Sequence, residues 1–158
     1  MKILTAIVLF LLVILVSQEV RSQYTNEAKQ LVMLEVKPIS KISLAGNLNA
    51  FMLTGDQTSI SDNTTRYSLT TNVDNMKIVA SINNQMPAGT NLKIRLASRN
   101  ASSNGVVDVS QATSPVTVVS GIHRGIEVDQ TISYEFSAAS EIRDLPNTSR
   151  SVTFTLTN

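Results

Sequence analysis

The sequence predicts an all-β fold: an Ig-like antiparallel β-sandwich of about nine or ten short strands, behind an N-terminal signal helix. Three observations lead there. Apolar residues alternate with polar ones in several short runs, clearest in Met76 to Ile82, Leu92 to Ala97, Ile132 to Ala138 and Val152 to Leu156. Side chains on a strand alternate between two faces, so each run describes a half-buried strand. Turn-forming Gly, Pro, Asn and Asp separate the runs. Val, Ile and Thr, which suit a pleated surface, are spread through the chain. The apolar faces are short and no polar alternation marks a wet lumen, which favours two packed sheets over a barrel.

Met1 to Ser22 has to be set apart from this fold. Lys2 supplies a positive start, Ile3 to Val16 is an almost unbroken apolar run, and a polar stretch ends at Val20-Arg21-Ser22. This is the pattern of a secretory signal peptide, cut between Ser22 and Gln23. As a helix the apolar run would reach about 21 Å, short of the roughly 30 Å hydrocarbon core of a bilayer. The expected organisation is a signal peptide over 1–22, a polar lead-in over 23–30 and a sandwich domain over 31–158. The expected location is secreted or at the cell surface, the periplasm included. The membrane is met only through the signal segment during export.

Composition narrows the chemistry. Loss of Lys2, Arg21 and Glu19 with the signal peptide leaves a mature chain with no net formal charge. A neutral domain without a basic stripe is a poor match for nucleic acid, which binds by displacing counterions with positive charge. The chain has no cysteine. Disulfides, thiolate metal sites and thiol nucleophiles are thereby excluded, although an exported protein would be free to form disulfides.

Taken in order, Val32, Leu34 and Val36 mark a first strand, which Pro38 interrupts. Ile42 and Leu44 resume the alternation, and Phe51 and Leu53 form a short apolar segment. Thr54 to Thr65 reads as a polar loop. Tyr67 to Val73, Met76 to Ile82 and Leu92 to Ala97 read as a three-stranded meander, on the premise that sequence neighbours pair. The last two of these would make a hairpin around Pro87 and Gly89. Arg99 to Gly105 is a second loop. Short strands follow at Val107 and Val109 and at Val116 and Val118. A small loop with Gly121 and Gly125 leads into Glu127 to Ala138. Ala139 to Arg150 is a long connection, and Val152 to Leu156 closes the chain.

Candidate chemistry is sparse. His123 is the only histidine, and no Gly-x-Ser-x-Gly turn accompanies it, so a nucleophilic triad has no support. Asp56 and Asp62, with Ser59, Ser61 and Asn63, offer calcium-type oxygen ligands. They fall short of the six to eight that calcium takes, and turn chemistry accounts for them. The carboxylate pair of a glycosidase could be drawn from Glu127, Asp129, Glu135 and Glu141, but the first three share outward parity on one strand and read as a solvated face. Sequons at Asn63, Asn100 and Asn147 are what a chain rich in Asn, Ser and Thr produces by chance. Five of the six mature-chain aromatics fall at inward positions and only Tyr24 is left over, so stacking platforms for sugars are scarce. No cofactor and no catalytic residue is expected.

The runs Met76-Lys-Ile-Val-Ala-Ser-Ile82, Gln85-Met-Pro-Ala-Gly-Thr90 and Leu92-Lys-Ile-Arg-Leu-Ala97 resemble uncharacterised secreted bacterial β-sandwich proteins. Val116 to Ile122, Ile132 to Ser137 and Val152 to Thr157 continue the resemblance. More broadly the chain is similar to pilin-like and coat-protein-like sandwiches, without the cysteine pair common in chaperone-assembled pilins. The resemblance implies an extracellular Ig-like fold and brings no site residues with it. The function expected is a non-enzymatic structural protein, a fibre or coat subunit in which Leu31 to Lys37 adds to the open sheet edge of a neighbour. Its partners are then itself or other surface proteins. The alternative is a binding module for polysaccharide or a surface partner, acting through Thr54 to Thr65 and Arg99 to Gly105.

Overall fold

The computed structural model describes residues 30–158 apart from 47, 49, 55 and 143–147. The signal helix, the Ser22–Gln23 junction and all but the last residue of the polar lead-in lie outside the described residues. The chain divides into two units, Met1–Glu35 and Val36–Asn158. Among the described residues the second unit is all-β, with no helix. It therefore offers no helix long and apolar enough to cross a membrane.

The strands are β1 (Ser40–Ala45), β2 (Ser59–Asp62), β3 (Arg66–Thr71), β4 (Met76–Ile82), β5 (Thr90–Leu96), β6 (Ser102–Ser103), β7 (Val107–Asp108), β8 (Val116–Ile122), β9 (Gly125–Ala138) and β10 (Val152–Thr157). They form two antiparallel sheets. The first runs β1-β3-β9-β5-β7, with β2 also paired to β9, and the second runs β10-β4-β8-β6. β2 and β3 follow one another beside β9, through Ser59↔Ser137 to Asp62↔Tyr134 and then Arg66↔Thr131 to Thr71↔Gly125.

The alternation seen in the sequence is what packs the sheets. Met76, Ile78, Ala80 and Ile82 of β4 are buried, and so are Leu92, Ile94 and Leu96 of β5 and Ile132 and Tyr134 of β9. With Tyr67, Leu69, Val118, Val119 and Ile122 they make one core cluster drawn from both sheets. Each fully buried aliphatic side chain contributes about 1.5 to 3 kcal/mol relative to exposure, which lets a fold without disulfides stand on this cluster.

Strand positions agree with the sequence better than strand partners do. The expected meander does not form. β3 and β5 lie in one sheet and β4 in the other, and none of the three pairs with another. The expected β4–β5 hairpin is instead a crossing between sheets. Its connection, Asn83 to Gly89, is too long for a tight turn, and its backbone bonds elsewhere. Asn83 N–H donates to Ser151 O at 3.1 Å and Met86 N–H to Ser110 O at 2.8 Å. β5 pairs with β9 instead, Leu92 opposite Phe136 and Leu96 opposite Ile132. Two apolar faces can bury each other across a sandwich as well as share one face of a sheet, and period alone does not choose.

Two further expectations change. The loop expected over Thr54 to Thr65 contains β2, whose edge position leaves it mostly polar. The first expected strand, Val32 to Val36, carries no strand in the structure; pairing begins at Ser40.

Candidate functional site

The stretch Leu31 to Val36 is the largest anomaly on the surface. Leu31, Met33, Leu34 and Val36 are 84–89% exposed and Val32 is 64% exposed. A soluble surface carries single apolar side chains without consequence, but a contiguous run of them marks an interaction site. Within the run Val32, Leu34 and Val36 recur at the period of a half-buried strand, and among the described residues nothing pairs with them.

Downstream, the chain is tied to the end of β3. Asn72 Nδ2 donates to Lys37 O at 2.8 Å, Ile39 N–H donates to Asn72 Oδ1 at 2.7 Å, and Asn72 N–H donates to Ile39 O at 3.1 Å. β1 then pairs with β3, Ile42 opposite Leu69 and Leu44 opposite Tyr67. Those two β3 residues face the core, so Ile42 and Leu44 share the inward side. Yet Leu44 remains 52% exposed and Ile42 only half-buried. β1 is the edge strand of its sheet, and β10, the edge strand of the other, approaches it. On β10 the inward Val152, Phe154 and Leu156 are likewise only half-buried, although their β4 partners Ile82, Ala80 and Ile78 are fully covered. The core is thinnest along this side.

The other residues singled out from sequence resolve into structural roles. Asp62 Oδ1 accepts from Thr64 N–H at 2.9 Å and from Thr64 Oγ1 at 2.8 Å, a turn of the kind aspartate makes with its own chain. Asp56 is exposed. Among the described residues no group of three or more His, Asp or Glu is placed to hold a metal ion. His123 is exposed, with Nδ1 3.6 Å from Asp74 Oδ1. The Arg99 to Gly105 stretch is not a free loop. It includes β6, paired to β8, and Ser103 Oγ donates to Leu96 O at 2.6 Å.

Glu127 departs most from expectation. The row Glu127, Asp129, Glu135 is not one solvated face, because Glu127 is 4% exposed. Between Tyr67↔Gln130 and Leu69↔Glu127 the pairing slips, so Val128 and Asp129 together face Ser68. This is a β-bulge, and Asp129 adopts a φ of 57° within it. The extra residue reverses the parity upstream and turns Glu127 inward. There its carboxylate accepts from Ser98 Oγ at 2.9 and 3.1 Å, Asn100 N–H at 3.1 Å and Arg99 N–H at 3.4 Å. It fastens the exit of β5. Burial, with the Glu127 charge nearby, pushes the Tyr67 hydroxyl pKa up, and that hydroxyl donates to Ala97 O at 2.6 Å. Asp129 and Glu135 stay at the surface, 3.9 Å from Arg66 and Lys93 respectively. The three carboxylates serve separate tasks and do not converge.

A second polar cluster clasps one end of the fold. Asp74 sits in the β3–β4 crossing and Arg124 in the β8–β9 crossing. Arg124 N–H donates to Asp74 Oδ1 at 3.0 Å and Nε to Oδ2 at 2.9 Å. The side-chain bond from Arg124, then its backbone N–H, hold the Asp74 pKa down at about 2. This signal was readable only as a charged residue in each turn.

Compared with protein-family models, with curated proteins and with solved structures, the chain matches none.

Proposed function

We propose that the protein is a non-enzymatic secreted or cell-surface structural protein whose subunits join by β-strand addition. The observation that carries this is Leu31 to Val36, a strand-patterned apolar segment left exposed immediately before an edge strand. Strand addition supplies what such a segment lacks: backbone partners from a sheet edge and cover for alternate side chains. An Ig-like arrangement of the two sheets and a kinship with pilin-like and coat-protein-like domains belong to the same proposal. The signal-peptide pattern of Met1 to Ser22 supports its export.

The test is sizing and electron microscopy of the exported protein beside a variant lacking residues 31–36. Concentration-dependent assemblies in the native protein, lost on deletion while the β-sheet circular dichroism spectrum persists, are the expected result. A native protein that stays monomeric at high concentration would overturn the proposal.

A further inference from the structure

We infer that Leu31 to Val36 docks on the free edge of β1 in a second copy of the chain, reciprocally, so that strand addition closes as a two-fold dimer. This inference rests on the strand-addition function proposed above and names its acceptor, register and symmetry.

Backbone direction fixes which groups are on offer. Ile39 O accepts from Asn72 N–H, so Ile39 turns its polar groups toward β3. Alternate residues of a strand turn theirs the opposite way. Ser40, Ile42 and Leu44 therefore present N–H and C=O at the free edge, while their side chains take the inward face. The incoming strand must also keep Val32, Leu34 and Val36 inward. A slip of one residue would drive Glu35 inward in their place.

One antiparallel register satisfies both demands and the charges. It sets Val36 opposite Ser40, Leu34 opposite Ile42 and Val32 opposite Leu44. The half-exposed Leu44 then meets Val32, and the exposed Leu34 covers Ile42. On the outer face the same register sets Glu35 opposite Lys41, in one of the close, non-hydrogen-bonded positions where side chains are nearest. A slip of two residues either sets Lys37 against Lys41 or leaves Glu35 against Ile39. Apolar parity excludes odd slips, and charge complementarity then chooses among the even ones.

The alignment is self-complementary. If Leu31 to Val36 of one copy covers Ser40 to Ala45 of another, the second copy's segment lies on the first copy's β1 in the same way, which is the condition for a closed two-fold interface. Segment and edge match in length, since β1 has six residues. Pro38 falls on the axis beside its own image. It has no N–H to offer there and divides the contact into two ladders.

Charge exchange tests this. In sedimentation of the purified full-length product after export, E35K and K41E should each raise the dimer dissociation constant about tenfold, because two attractive pairs become repulsive. The double variant E35K/K41E should return it to the native value. Both residues are exposed, so folding is not at stake. As a second arm, an E35C variant mixed with K41C should give a covalent dimer on oxidation, in a chain with no other cysteine. M33C mixed with K41C should give little. Open-ended oligomers that require residues 31–36 but ignore the charge exchange would overturn this interface and leave strand addition standing. A native monomer would overturn both.

Discussion

Ile78 and Leu34 each sit in a row of apolar side chains at every second position, yet Ile78 is fully buried and Leu34 is 89% exposed. Around Ile78, β4 has a strand on each side, β10 and β8, and the opposite sheet over its inward face. Around Leu34, the described residues provide neither. Alternation therefore specifies that one face of a strand wants cover; it does not specify what provides the cover. For β4 the cover is in the same chain. For Leu31 to Val36 the proposed cover is another copy of the chain.

The sharpest way to probe this contrast is to shorten both side chains. Ile78→Ala should cost about 3 to 4 kcal/mol of unfolding free energy in denaturant titration, the transfer loss plus the cavity left in a covered core. Leu34→Ala should change monomer unfolding by less than about 0.5 kcal/mol, as exposed substitutions do, while weakening self-association. An equal cost at the two sites would break the comparison.

Glu127 sharpens it from the other side, as a residue covered against its apparent parity. Glu127→Ala removes the carboxylate that Ser98 Oγ and two backbone N–H groups donate to at a part-buried site, and should cost about 1.5 to 3 kcal/mol by the same titration, the range for hydrogen bonds to a charged group. An unchanged stability would mean that the bulge, rather than the carboxylate, holds the β5 exit.

The smallest effect is expected at the clasp leading into β4. The Asp74 pKa lies at about 2 when folded, below the ordinary carboxylate value of about 3.9. A carboxyl depressed in the folded state adds stability above the unfolded value, and that share is lost as pH falls through the folded one. Thermal melts should therefore show a decline between roughly pH 4 and pH 2 that Asp74→Asn flattens. An identical acid profile in the variant would remove Asp74 from the account. At the alkaline end, burial, with Asp62 nearby, pushes Tyr134 up to about 12, so its share of stability is lost as pH rises from about 10 to that value.

Much of the fold is legible in the sequence because burial obeys local period. Met76 to Ile82 and Leu92 to Leu96 declare their faces in the chain itself, and eight of the ten strands fall on or beside stretches where alternation or Val pairs announce them. Partners are not local. Nothing in Asn83 to Gly89 announces that β4 and β5 enter different sheets, because that depends on bonds to Ser110 and Ser151, far along the chain. The β2 strand hides in Ser59–Asp62 because an edge strand needs little apolar content. Glu127 was hidden by a single inserted residue, with Asp129 at positive φ as its only trace, and aspartate tolerates that conformation well enough to pass unnoticed. The segment Leu31 to Val36 was legible as a strand pattern and misleading as a strand of its own sheet.

Amide hydrogen exchange reads the backbone of that segment directly. In an antiparallel addition to β1, the N–H groups of Val32, Leu34 and Val36 become bonded while those of Met33 and Glu35 face away. Exchange of the native protein followed over a range of concentrations should show protection rising at Val32, Leu34 and Val36, and at Ile42 and Leu44 with them. Unprotected exchange at all five positions at every concentration would contradict the account.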